Sequence, residues 1–137
     1  MVVAEVSLAV TILGAIKTLF GLKDDLAKAD SSRRTAMASK FENVAVCLEA
    51  AADDIRHDIY PAGRCAEMLT YAVELPPLVA DGLGHAGKAQ EIGDALKEAY
   101  AVERLFGDRD KPEGKVDLAK LDEAAGLLRA LATLVRP

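Results

Sequence analysis

Residues 2–22, reading VVAEVSLAVTILGAIKTLFGL, form the most apolar stretch of the chain and set the terms on which the remainder can fold. Ala4, Ser7, Thr11, Gly14, Thr18 and Gly21 recur at steps of three and four, which on a helix gathers them into one narrow stripe of small or weakly polar side chains. Val3, Val6, Val10, Leu13 and Phe20 flank that stripe on one side, and Leu8, Ile12, Ala15, Ile16, Leu19 and Leu22 fill the other side and the back. A helix this apolar is either the central, mostly buried element of a bundle or a segment able to leave the bundle for lipid. In the first case the small stripe lets a neighbouring backbone approach closely. In the second it makes a helix seam or lines a pore while the aliphatic face meets lipid. About 20 residues at about 1.5 Å rise match a hydrocarbon core of about 30 Å. Glu5 and Lys17 stand near the two ends of the run, where snorkelling lowers the cost of a charge. The packed helix ranks above a permanent span. No basic residue precedes the run, which argues against a cleaved signal peptide.

The rest of the chain reads as amphipathic helices in a single domain spanning 1–137. Leu22 and Leu26 keep the register of the first helix through Lys28, and Asp30-Ser31-Ser32 then breaks it and offers a cap for the next. That next helix, 32–60, carries Met37, Phe41, Val44, Leu48, Ala51 or Ala52, Ile55 and Ile59 at alternating steps of three and four, the cleanest amphipathic pattern present. Its polar face holds Glu42, Glu49, Asp53 and Arg56. A third helix, 62–83, opens after Pro61 and buries Cys65, Met68, Leu69, Ala72 and Val73, with a kink or a short extra turn at Pro76-Pro77. The glycine-rich turn Asp81 to Gly87 leads to a fourth helix, 88–106, with Ile92, Leu96 and Phe106 inward. Gly107 to Gly114 is a solvated loop, and the last helix, 116–135, buries Leu118, Leu121, Ala125, Leu128, Leu131 and Leu134. The prediction is an all-α, antiparallel up-and-down bundle of four main helices plus one, with the first helix touching most of the others. Aromatic residues at 4%, no Trp, and abundant Ala and Leu agree with it.

Charge narrows the partners. Six Lys/Arg against four acids occupy residues 1–40, four against eleven occupy 41–100, and seven against seven occupy 101–137. An acidic middle argues against nucleic acid, whose phosphates require a concentrated basic face. The six cations of the first forty residues suit anionic lipid headgroups instead. Cys47 and Cys65 lie in apolar helical patterns without CxxC spacing and read as buried, reduced thiols of a cytoplasmic protein.

Candidate chemistry is sparse. Asp53, Asp54, His57 and Asp58 share helical spacing that suits a divalent cation, but one His and three flexible acids with no second cluster read better as a solvated face. No metal site, cofactor or catalytic residue is predicted. His57-Asp58 followed by Pro61 resembles, over Arg56 to Pro61, the phosphoacceptor box of sensor histidine kinases, and makes His57 a phosphoacceptor in an alternative reading as a protein-interaction adaptor or histidine phosphotransfer bundle. His85 with Lys88 repeats a fragment of the His-x-x-Lys pattern of phosphotransfer domains, within a glycine-rich turn.

The apolar, glycine-containing first helix AEVSLAVTILGAIKTLFGL, followed by a longer amphipathic helix and a compact helical remainder, resembles the HeLo and Bell type of cell-death effector domain. These are helical bundles related in architecture to the executioner domain of necroptosis. The resemblance implies a non-enzymatic signalling domain of regulated cell death or defence, held inactive until a protein regulator clusters it, after which the first helix attacks the membrane. The residues so implicated in membrane action or self-association are Ser7, Leu8, Thr11, Ile12, Leu13, Gly14, Ile16, Leu19 and Phe20. The expected partners are further copies of the chain, membrane lipids and that regulator. The expected location is cytoplasmic at rest and membrane-associated when active.

Overall fold

The computed structural model describes residues 8–83, 87–97 and 102–137, with the side chains of 8–10, 81–83, 87–89, 92 and 102–104 excepted. Within them the chain is all α-helical: α1 (Leu8–Phe20), α2 (Lys23–Leu26), α3 (Ser31–Arg56), α4 (Ala62–Leu83), α5 (Gly87–Lys97), α6 (Val102–Gly107) and α7 (Pro112–Val135). Five of them close a ring. α1 packs on α7, α7 on α3, α3 on α4, α4 on α5, and α5 back on α1. The short α2 lies against α4 and α7 and inserts Leu26, and α6 packs on α7. The ring encloses one apolar core in which Ile12, Ile16, Phe41, Leu48, Leu75, Leu96 and Leu121 are almost wholly shielded from solvent. Among the described residues no polar or charged residue is buried.

The most extensive packing joins α3 to α7, and charge fixes how they align. Glu42 meets Arg136 at 2.7 Å, Glu49 meets Arg129 at 2.8 and 2.9 Å, and Arg56 meets Asp122 at 2.6 Å. The rungs advance seven residues on α3 while they retreat seven on α7, so the two helices are antiparallel in one register. The third rung has the opposite polarity, which makes a slipped alignment oppose like charges. The α3–α4 pair is antiparallel as well, for Lys40 reaches Glu74 and Cys47 lies against the carbonyl of Arg64. At the N-terminus of α3 the Asp30 carboxylate accepts the Arg33 N–H at 2.9 Å, a cap worth about 1 kcal/mol. Arg34 donates to the carbonyls of Val135 and Arg136 at 2.8 and 3.2 Å, tying down the otherwise unpaired end of α7.

Several sequence expectations are corrected. The first helix ends at Phe20, close to the expected bound of 22, and does not run on to Lys28; among the described residues it touches chiefly α5 and α7, not most of the bundle. α3 stops at Arg56, four residues early. There the N–H of Ile59 bonds to Asp54 O at 2.8 Å and that of Asp58 to Ile55 O at 3.1 Å, while Asp58 takes φ 61°, a Schellman closure with Asp where glycine is usual. Ile59 falls beyond the helix and is 54% exposed. Leu69, Val73 and Leu134 also face out, because Met68, Ala72 and Val135 take the inward positions beside them. α4 keeps the expected bounds of 62–83 and passes through Pro76-Pro77 without ending. Pro76 deprives the Ala72 carbonyl of its helical donor, and α5 lies against that spot through Gly93, on which a Cβ would stand 2.6 Å from Pro76 Cγ and 3.0 Å from Ala72 O. The loop expected to run to Gly114 closes at Lys111, and Gly114 is a buried residue of α7. The expected helix 88–106 is represented by α5 and α6, and residues 98–101 between them lie outside the described ones.

Candidate functional site

α1 divides sharply into two faces. Ile12 and Ile16 are fully buried and Leu13 and Leu19 nearly so, all in the common core that α5 and α7 help to enclose. Thr11, Thr18 and Phe20 are half-buried, and Gly14, Lys17 and Gly21 face solvent. Thr18 Oγ1 donates to the Gly14 carbonyl at 3.1 Å, so the hydroxyl is satisfied within the helix. A Cβ built on Gly14 would meet nothing within 4 Å. The small stripe therefore does not seat a neighbouring backbone at Gly14. The core is reached by the aliphatic face instead, and of the described stripe residues Gly14 and Gly21 are turned outward while Thr11 and Thr18 are half-buried. Of the implicated residues, Ser7 and the side chain of Leu8 lie outside the described residues. Lys23 Nζ sits 5.1 Å from the Phe20 ring centroid, closing the turn after α1. Among the described residues no helix is long and apolar enough to cross a membrane.

The other candidate residues gather at the C-terminal end of α3. His57 is exposed and follows the last helical residue, its Nδ1 2.8 Å from the Asp53 carbonyl. The nearby acids point to separate partners: Asp54 lies 3.9 Å from Arg64, and Asp58 accepts from Arg109 Nε at 2.7 Å. Among the described residues no three His, Cys, Asp or Glu side chains converge as metal ligands would. His85 lies outside the described residues. Sequence reasoning missed Arg109. Its guanidinium also donates to Phe106 O at 2.7 Å and stacks 4.1 Å from the Phe106 ring, which in turn meets Tyr60 edge-on at 5.5 Å. Beside it opens a cavity of about 300 Å³ with Ile55 and Leu118 among its walls and Arg56, Asp58, Asp110 and Lys115 at its polar side. Both charge signs are present in near balance, and the arginines already hold acids of their own chain. No signal in the sequence links Arg109 to Asp58, fifty-one positions away.

Cys47 is buried with its Sγ 3.4 Å from the Arg64 carbonyl. Burial, reinforced by the charge and hydrogen bond of Glu67, pushes its thiol up to about 12, so it stays protonated and unreactive near neutrality. Cys65 is half-buried, where the sequence led to the expectation of a buried thiol, and neither cysteine is in a disulfide.

Comparison of the chain with protein-family models, with curated protein sequences and with solved structures finds no match.

Proposed function

We propose that the chain is a non-enzymatic, self-associating effector or signalling domain, of the kind used in regulated cell death or defence, which stores its first helix within the bundle and deploys it on a membrane. The observation that supports this reading is the division of α1: four large aliphatic side chains packed inward, and Gly14 and Lys17 turned out to solvent with open space at Gly14. The helix is joined to the remainder through the turn at Gly21–Leu22, which supplies a hinge between it and α2. Burying four such side chains is worth about 6 to 12 kcal/mol, at about 1.5 to 3 kcal/mol each, comparable with the whole stability of a domain this size. Release therefore requires a ligand, a clustering partner or a lipid surface that recovers the same area.

The test is dye release from anionic vesicles by the full chain, free and chemically clustered, beside Gly14→Glu. Because Gly14 is open to solvent, the variant keeps its fold, and the reading expects it to lose the release shown by clustered wild type. Equal release by the two proteins, or none from clustered wild type, would refute the reading. A plain interaction adaptor is the second reading, favoured by the exposed Leu69 and Val73 on α4, and it predicts no release under any condition.

A further inference from the structure

The cavity beside Arg109 lies where two long helices end. α3 arrives with its C-terminus and the antiparallel α7 departs with its N-terminus, so the negative end of one helix dipole and the positive end of the other border the same space of about 300 Å³. The α7 end is the more open of the two. Its N-cap residue, Lys111, makes no side-chain capping hydrogen bond, whereas the α3 end is closed by the backbone bonds of Asp58 and Ile59. The apolar part of the wall is Ile55 and Leu118, both buried. Five charged side chains complete it, and their pairing separates them. Arg56 is taken by Asp122 at 2.6 Å, and Asp58 and Arg109 take each other at 2.7 Å. Lys115 and Asp110 remain. Both are exposed, and neither has an ion-pair partner among the described residues, not even the other. Elsewhere on the same connection the charges do pair, Asp108 with Lys111 at 3.1 Å.

The unpaired charges select the occupant. One cation and one anion on a shared cavity are balanced by a molecule that carries one group of each sign. A simple anion would leave Asp110 opposed, and a simple cation would leave Lys115 opposed. Ile55 and Leu118 require in addition an aliphatic body, and about 300 Å³ stands at the small end of ligand cavities, which suits a single small molecule and not a peptide. We infer that this cavity binds a free aliphatic α-amino acid. Its carboxylate is held by Lys115 and the first turn of α7, its ammonium by Asp110, and its side chain lies against Ile55 and Leu118. Bound there, it joins the end of α3 to the start of α7. No lining residue belongs to α1, so the site is independent of the proposed membrane action and each stands or falls without the other.

The test is a titration of the full chain, followed by heteronuclear NMR, with L-leucine and three probes that each lack one of its features: isocaproate without the ammonium, leucinamide without the carboxylate, and glycine without the side chain. L-leucine should shift the amides of Asp110, Lys115 and Leu118 in a saturable way. The other three should bind at least about threefold more weakly, since each forfeits one exposed charge pair or the apolar contact. Lys115→Ala should weaken L-leucine and spare leucinamide, and Asp110→Asn should weaken L-leucine and spare isocaproate. Both side chains are exposed, so neither exchange disturbs the core. No saturable shift with L-leucine up to about 50 mM, equal affinity for all the probes, or an L-leucine affinity indifferent to either variant would overturn the inference.

Discussion

Replacing Arg129 by Glu sets a carboxylate against Glu49, its bidentate partner at 2.8 and 2.9 Å, and near Glu42 one rung away. The Arg129 hydrogen bonds hold the Glu49 carboxyl below the ordinary carboxylate value. Both side chains are nearly half exposed, so the pair itself contributes no more than about 1 kcal/mol, and opposing two acids adds a similar penalty. Arg129→Glu should therefore lower stability by about 1 to 2 kcal/mol, and Glu49→Arg by a like amount. The double exchange Glu49→Arg with Arg129→Glu restores the rung with its polarity reversed and should recover most of the loss. The assay is urea unfolding of the four proteins, read as a double-mutant cycle at low and at about 1 M salt, where screening shortens the reach of the charges to about 3 Å. A depressed native carboxylate contributes stability that is complete above the unfolded value and disappears as pH falls through the native one. The coupling should accordingly be present at neutral pH and vanish as the solution is acidified below the ordinary carboxylate range. Two single-variant losses that simply add in the double variant would refute the claim that this ladder sets the α3–α7 register.

Gly114→Ala should destabilise strongly, because its Cβ would run into the Asp108 carbonyl oxygen and stand 2.6 Å from the Asp108 carbonyl carbon; thermal melts should show a loss of several degrees, and an unchanged melt would remove the tight turn from the account. Gly93→Ala should act in the same direction, since it pushes α5 off Pro76 and the Ala72 carbonyl of α4, and near-ultraviolet circular dichroism would register the loosened pair. Iodoacetamide at pH 8 should label Cys65 well ahead of Cys47, and because the native Cys47 value lies above the unfolded 9.0, stability should be full below pH 9 and decline as pH climbs towards about 12.

What the sequence made legible follows from how each signal is encoded. Met37, Phe41, Val44, Leu48 and Ile55 are buried as their spacing predicted, because a helix packed on two flanks leaves an unmistakable period. Leu69 and Val73 misled for the opposite reason: α4 is apolar on both its inner and outer faces, so periodicity could not say which face was which, and the answer came only from where α3 and α5 lie. The helix through Pro76-Pro77 was legible in its bounds, because Leu78 and Val79 keep the apolar pattern going past the prolines, whereas the close approach of Gly93 on α5 to Pro76 and the Ala72 carbonyl was not. In α1 the core-facing role was readable from composition, and the outward turn of Gly14 was not, since small residues serve a tight seam and an open face equally well. The ion-pair ladder was written as heptad-spaced charges on two distant segments, and only their juxtaposition makes them a pattern.

The ring also implies an order in which the molecule comes apart. α1 contributes to the core from one face alone and bridges α5 to α7, whereas α3 is packed by α7 on one flank and α4 on the other and is tied to α7 by three ion pairs. Removing α1 opens one seam and leaves the α7–α3–α4 layer with its ladder in place. The aliphatic area lost is worth about 6 to 12 kcal/mol as an upper figure, and the backbone entropy that a detached segment regains offsets part of it. The net cost of this local opening should then fall below that of global unfolding, as it does for elements with few flanking contacts. Native-state hydrogen exchange on wild type should find the amides of α1 exchanging at a free energy lower by about 1 kcal/mol or more than those in the middle of α3, at denaturant concentrations where α3 is fully protected. Amides of α1 and α3 exchanging at one common free energy would mean that the ring opens only as a whole, and a first helix that cannot leave separately cannot be the part delivered to a membrane.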